Sequence, residues 1–243
     1  MNKITVIGTG SVGSTIAYTL AVTGIASEIV MVDINEEKAL GEALDIRQGI
    51  PFCGSSVSVY AGSYRDAAGS DIVVLTSGVA RKPGQSRLDL TQTNVNITKS
   101  IIPEITKYAD KAVYVIVSNP VDILTYVFMK CSDIPENRII GSGTILDTAR
   151  LRSRISEYYN INQKNVHAYV FGEHGDSSFV PWSIANISNI PIDGYADAIS
   201  GQDTLPMPKL DHEAIEDYMR KSGGMVISRK GATYYAIAVS VTH

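Results

Sequence analysis

The chain has 243 residues, 44% of them hydrophobic and 19% charged, with a formal net charge of −4. That length allows one large domain or two smaller ones, the composition is ordinary for a folded protein, and the charge offers no general basic field for nucleic acid or anionic lipid. No apolar stretch approaches the roughly 18 residues of a membrane span, "MNKITVIGTG" runs into a strand pattern without signal-peptide architecture, and Cys53 and Cys131 form neither a metal spacing nor a disulfide framework, so the expectation is a cytoplasmic protein with no metal.

Taken in chain order, β-branched apolar runs alternate with helical patterns. Strands are predicted at 3–8 ("KITVIG"), 28–33 ("EIVMVD"), 56–62 ("SVSVYAG"), 71–77 ("DIVVLTS") and 111–118 ("KAVYVIVS"), with a sixth at 138–143 ("RIIGSG"). Their nearly continuous apolar character is that of a parallel sheet buried on both faces. Helices are predicted at 11–24, 35–49, 87–109 and 122–131. This alternation predicts a doubly wound α/β domain. The pattern changes near 140–145, which places a domain over 1–142 and a second, mixed α+β domain over 143–243. The second opens with a long helix and continues into "NVHAYVFGEHGDS", read as a strand followed by a glycine-flanked loop. "ATYYAIAVSVTH" has a helical pattern without a stop signal, and a further C-terminal segment is expected.

"GTGSVG" (8–13) lies between the first strand and first helix. There Gly8 allows the tight turn, Gly10 lets backbone approach a pyrophosphate, and Gly13 lets helix and strand pack closely. The helix N-terminus offers free N–H groups to phosphate. Asp33 is read as ending the second strand, where a carboxylate accepts hydrogen bonds from a ribose diol and repels a 2′-phosphate. The cofactor predicted is NAD rather than NADP.

Three further stretches carry chemistry. His174 in "FGEHGDS" sits near glycines after the predicted strand, and an imidazole moves a proton near neutral pH. Asp147 and Arg150 in "ILDTARLR" are at i and i+3 on one helix face, suited to orienting an imidazole and gripping a carboxylate. Asn119 in "VSNPVD" follows the fifth strand, at the sheet end where ligands bind in open α/β folds. For each there is a plainer reading: a structural histidine, a surface ion pair, an Asn-Pro turn.

With these residues assembled, the chain resembles the lactate/malate dehydrogenase family over its whole length, through "GTGSVG", "RKPGQSRLDL", "SNPVD", "LDTARLR", "GEHGDS" and "KGATYYAIA" in family order. The resemblance implies a Rossmann NAD-binding domain followed by a catalytic domain. It also implies hydride transfer between NAD and a small 2-keto or 2-hydroxy acid. His174 then matches the proton donor-acceptor, Asp147 its carboxylate partner, Arg150 the carboxylate clamp and Arg87 the arginine of a mobile loop that polarises the substrate carbonyl. Asn119 matches the residue that touches substrate and nicotinamide region, and Thr233 the one beside the substrate side chain. On the cofactor side Val12, Asp33, Lys38, Tyr64, Gly78, Val79, Ser100, Ser118 and Ser142 match contact positions. The cation-rich stretch "GVARKPGQSR" (78–87) then looks like a lid that closes over substrate and expels water.

Substrate identity divides the motifs. Arg81 is the malate-type residue at the specificity position, and a second guanidinium facing substrate wants a second carboxylate. Glu173, Thr233 and "GATYY" are lactate-type, and the greater number of motifs favours L-lactate over malate. A non-catalytic dinucleotide-binding protein is the alternative from another class; the full set His174, Asp147, Arg150 and Arg87 speaks against it. Arg152 and His167 match positions where bacterial lactate enzymes bind fructose 1,6-bisphosphate between subunits, which implies an allosteric homo-oligomer, a tetramer by resemblance.

Overall fold

The computed structural model describes residues 2–79, 87–200 and 207–243, with only the backbone of Arg87. Arg81 and the lid expectation for residues 80–86 lie outside the described residues. The chain forms two units, Met1–Ser142 with Ile237–His243, and Gly143–Ala236.

The first unit contains β1 (Lys3–Ile7), α1 (Ser11–Thr23), β2 (Glu28–Val32), α2 (Glu36–Gly49), β3 (Ser58–Ala61), β4 (Ile72–Leu75), α3 (Arg87–Thr106), β5 (Val113–Ile116), α4 (Val121–Cys131) and β6 (Ile139–Gly141). The strands form one parallel sheet in the order β3-β2-β1-β4-β5-β6, the doubly wound arrangement. The strands are largely apolar on both faces because the two-residue period feeds two cores. Ile4, Val6, Ile29, Met31 and Val74 point to the face covered by α1 and α2, with Ile16 and Leu20. Ile7, Val30, Val32, Val73, Leu75, Tyr114 and Ile116 point to the other face, with Ile102, Ile105, Leu124 and Phe128 of α3 and α4. Each such side chain contributes about 1.5–3 kcal/mol on burial. The strand order reverses between β1 and β4, which opens the crevice where open sheets bind ligands.

The second unit is built on α5 (Ile145–Tyr159). Leu151, Ile155 and Tyr159 are buried at four-residue spacing, and the stripe begins at its N-terminal end with the buried carboxylate of Asp147. They pack against β7 (Val166–His167), β8 (Asn186–Ile187) and β9 (Ile190–Pro191), a small antiparallel sheet, and against α6 (Ile192–Ile199) and α7 (His212–Lys230). The final helix α8 (Tyr235–Thr242) contributes Ala238 to the core on the α1 side of the first unit, where 143–243 was expected as one domain.

The strand predicted before His174 is corrected. It is only Val166–His167 long. The reason is that α5 takes the next backbone groups: the Thr148 hydroxyl accepts from Val170 N–H at 3.0 Å, Thr144 donates to the Val170 carbonyl at 2.6 Å, and Arg152 Nε donates to the Ala168 carbonyl at 3.3 Å. The one N–H of Val170 is thereby spent on a side chain, and the two carbonyls are bonded to side chains rather than to a strand neighbour.

Candidate active site

In the first unit, a glycine turn joins β1 to α1. Gly8 has φ +95°, open to glycine and strained for other residues. A Cβ on Gly13 would stand 1.8 Å from the Gly8 carbonyl oxygen, so this glycine is required by space. A Cβ on Gly10 would meet nothing within 4 Å, which marks open room over the turn. The start of α1 has no side-chain cap, so its first N–H groups are offered outward. The hydroxyl of Ser77, beside Gly8, is buried without a hydrogen-bond partner. Open space, unspent N–H donors and an orphaned hydroxyl together fit a dinucleotide pyrophosphate.

Asp33 stands one residue beyond β2, not within it, and turns back onto the glycine turn. Its Oδ2 accepts from Thr9 N–H (2.6 Å) and the Thr9 hydroxyl (3.1 Å), and its Oδ1 from Asn35 N–H (2.9 Å). Burial alone would raise this carboxyl, but the Thr9 and Asn35 donors outweigh it and hold the group below the usual carboxylate range, with help from Lys38. A fixed anion here suits a ribose diol.

Of the other predicted cofactor residues, Val12 is half-buried in the first turn of α1, and Lys38 is exposed in the first turn of α2. Tyr64 is half-buried; burial raises its phenol, as do the Glu104 and Asp33 charges. Ser118 is buried and donates to the Ser77 carbonyl at 2.6 Å, while Ser142 N–H donates to Ile116 at 2.8 Å. Ser100 is exposed, and its hydroxyl bonds within its own helix to Ile97. Asn119 is exposed and precedes a cis-proline. Gly78 and Val79 follow β4. A residue that sequence reasoning missed ties these together. Asn94, buried in α3, accepts from Val79 N–H at 2.9 Å and donates to the carbonyls of Val79 (3.3 Å) and Asn119 (2.7 Å). One side chain thus joins the loops after β4 and β5.

In the second unit the structure brings Asp147, Arg150 and His174 together. Asp147 is 5% exposed. Its Oδ2 lies 2.6 Å from His174 Nδ1, and its Oδ1 accepts from Arg150 Nη1 at 3.1 Å. One buried carboxylate, using both oxygens, therefore orients an imidazole and a guanidinium at once. The contact with Asp147 is made through Nδ1, which fixes the plane and direction of the imidazole ring. The His174 loop is a short hairpin whose ends, Phe171 and Phe179, exchange backbone hydrogen bonds of 2.9 and 3.0 Å. Gly172 enters it at φ +90°; Gly175 has no such requirement. The Arg150 guanidinium lies against α7 at Gly223, where a Cβ would come within 3.2 Å of Nη2. The signal for this was present in the sequence: a Gly-Gly pair inside a helix costs about 1 kcal/mol per glycine, so it marks a close approach.

Thr233 is half-buried just before α8. Arg152, two residues beyond Arg150, points elsewhere: its guanidinium stacks over Tyr169 at 4.9 Å, and its Nε bonds to Ala168. His167 is exposed on β7, beside Ala168. Cys53 and Cys131 are free thiols. Among the described residues no group of His, Cys, Asp and Glu could hold a metal, and no helix is long and apolar enough to cross a membrane.

Residues 2–141 match the lactate/malate dehydrogenase NAD-binding domain, and residues 144–243 match the lactate/malate dehydrogenase alpha/beta C-terminal domain. An L-lactate dehydrogenase of Thermoanaerobacter sp. (strain X514) is 51% identical over 241 residues, covering 99% of this chain and 76% of that enzyme. The crystal structure of a lactate dehydrogenase from a Medee basin deep-sea metagenome library superposes with a TM-score of 0.92 at 42% identity, over 99% of this chain and 75% of that one. A malate dehydrogenase from Picrophilus torridus superposes with a TM-score of 0.89 at 35% identity, covering 99% of this chain and 73% of that structure.

Proposed function

The chain belongs to the lactate/malate dehydrogenase family and is an NAD-dependent oxidoreductase, and from that premise we propose that it interconverts pyruvate and L-lactate with His174 as the proton donor and acceptor. The observation that carries this reading is the single buried carboxylate of Asp147, bonded to both His174 and Arg150. In the reduction, the Arg150 guanidinium binds the substrate carboxylate through paired hydrogen bonds, and Arg87 polarises the carbonyl. Asn119 hydrogen-bonds the substrate, and Thr233 borders its side chain. His174 donates the Nε2 proton to the carbonyl oxygen as the alkoxide forms, and Asp147 stabilises the imidazolium before that transfer. In the oxidation His174 takes the proton back, and the positive charge develops opposite Asp147. NAD, when bound, supplies or accepts the hydride. Gly8, Gly10 and Gly13 hold its pyrophosphate and Asp33 its adenosine ribose. Val12, Lys38, Tyr64, Gly78, Val79, Ser100, Ser118 and Ser142 line the remainder.

Arg81 supports the competing malate reading, since a guanidinium facing substrate favours a dicarboxylate. The relatives named L-lactate dehydrogenase favour pyruvate. Rates of NADH oxidation with each keto acid decide the matter: kcat/KM is expected to be higher for pyruvate, and a preference for oxaloacetate would establish the malate reading instead.

Regulation belongs to the same proposal. Arg152 bonds to Ala168, the neighbour of exposed His167, so both cations lie along one segment and suit a phosphate. Tyr169, Phe171 and Phe179 form an exposed aromatic row beside them. This supports self-association, with fructose 1,6-bisphosphate held between copies and a tetramer as the assembly.

A further inference from the structure

The hairpin that carries His174 is held at its base by the Phe171–Phe179 pair. A second fastening lies at its return. Ser178 is buried, and its carbonyl accepts from Arg220 Nη2 at 2.9 Å. The same nitrogen donates to Glu216 Oε2 at 2.7 Å, one turn earlier on α7. The other oxygen, Glu216 Oε1, accepts from Trp182 Nε1 at 2.7 Å. Ser178 and Trp182 flank the point where the loop rejoins the body of its unit. Both are thus fixed to one turn of α7 through a continuous charge-assisted series, Trp182–Glu216–Arg220–Ser178. The acidic residue precedes the basic one by four positions, the favourable order for a helical pair. Arg220 is part of neither the Asp147 cluster nor any cofactor position.

We infer that Arg220 is a positioning residue for His174: through the Ser178 carbonyl it fixes the return of the loop, and with it the direction from which the imidazole meets Asp147 and substrate. The inference rests on the reading of His174 as the proton donor. Replacing Arg220 leaves a buried carbonyl without its donor and frees the Glu216 carboxylate. The imidazole then samples misdirected orientations, and small displacements of a catalytic group cost large factors in rate. Substrate and cofactor grip, which depends on other residues, is untouched.

The test compares wild type, Arg220→Gln and Arg220→Lys, with His174→Asn and the double variant Arg220→Gln/His174→Asn as controls. Arg220→Gln is expected to lower kcat for pyruvate reduction about 10–100-fold, with KM for pyruvate and Kd for NADH within about twofold of wild type by the same reasoning. Arg220→Lys, which keeps a cationic donor, recovers most of the loss and carries the comparison if the neutral variant does not fold. Because Arg220 acts through His174, adding Arg220→Gln to His174→Asn costs nothing further. Normal kcat in both Arg220 variants, or an equal fractional loss in the His174→Asn background, overturns the inference. Wild-type turnover in His174→Asn overturns instead the proton-donor reading beneath it.

Discussion

Asp147→Asn removes one charge and almost no volume from the centre of the proposed site. The carboxylate is nearly buried, with side-chain exposures of 8% for Asp147, 13% for Arg150 and 28% for His174. In the oxidation of a 2-hydroxy acid the imidazole gains its charge during the reaction, so the attraction of Asp147 is felt in the transition state. Unit charges about 4 Å apart at an effective dielectric of about 20 attract by about 4 kcal/mol. The exposed part of His174 and the competing Arg150 charge reduce this to about 2–3 kcal/mol, a factor of about 30–150 in rate. The amide adds a geometric fault. Its oxygen can serve one of the two donors, while its NH₂ meets the other, so Arg150 or His174 loses its orientation. Steady-state L-lactate oxidation, followed by NAD reduction, should therefore show kcat/KM lowered by about 30–150-fold, with Kd for NADH unchanged. A value within about threefold of wild type would mean that Asp147 does not stabilise the charged imidazole.

Asp33→Ser should raise the kcat/KM ratio of NADPH to NADH by about tenfold or more, since the anion that repels a 2′-phosphate is removed; an unchanged ratio would detach Asp33 from the ribose. The same variant should lose about 1 kcal/mol of stability at neutral pH, because the Thr9 and Asn35 donors lose their acceptor. The folded-state pKa of Asp33 lies below its unfolded value, so this stabilisation is complete above the ordinary carboxylate range. It fades as pH falls through the depressed value, and denaturant melts of the two proteins should converge in strong acid. Fructose 1,6-bisphosphate should lower the apparent KM for pyruvate in wild type and should do little in Arg152→Gln, which lacks the guanidinium that suits a phosphate; pyruvate titrations with and without it check this, and no activation of wild type would return Arg152 and His167 to ordinary surface roles.

The parallel sheet was legible because its strands are apolar on both faces, and only a sheet covered on both sides asks for that. The glycine turn was legible because Gly8 and Gly13 are required by backbone and space. The short β7 was not, since Thr144, Thr148 and Arg152 divert the backbone of residues 168 and 170, and nothing in "NVHAYV" reports that competition. Asn94 was hidden for a similar reason: a buried asparagine in α3 reads as one more polar residue in "TQTNVNITKS" until its three hydrogen bonds to the two loops are known. Asp147 carried a signal that could have been used more fully. It heads the stripe Leu151, Ile155 and Tyr159, and a carboxylate in register with an apolar face must be paired if it is buried.

The central claim is that His174 moves the proton. It is tested most directly by His174→Asn, assayed for pyruvate reduction and, separately, for NADH binding. The account predicts turnover lowered by about 10²–10⁴-fold with NADH affinity unchanged, because the residues assigned to the dinucleotide do not include His174. Turnover near that of wild type would contradict it.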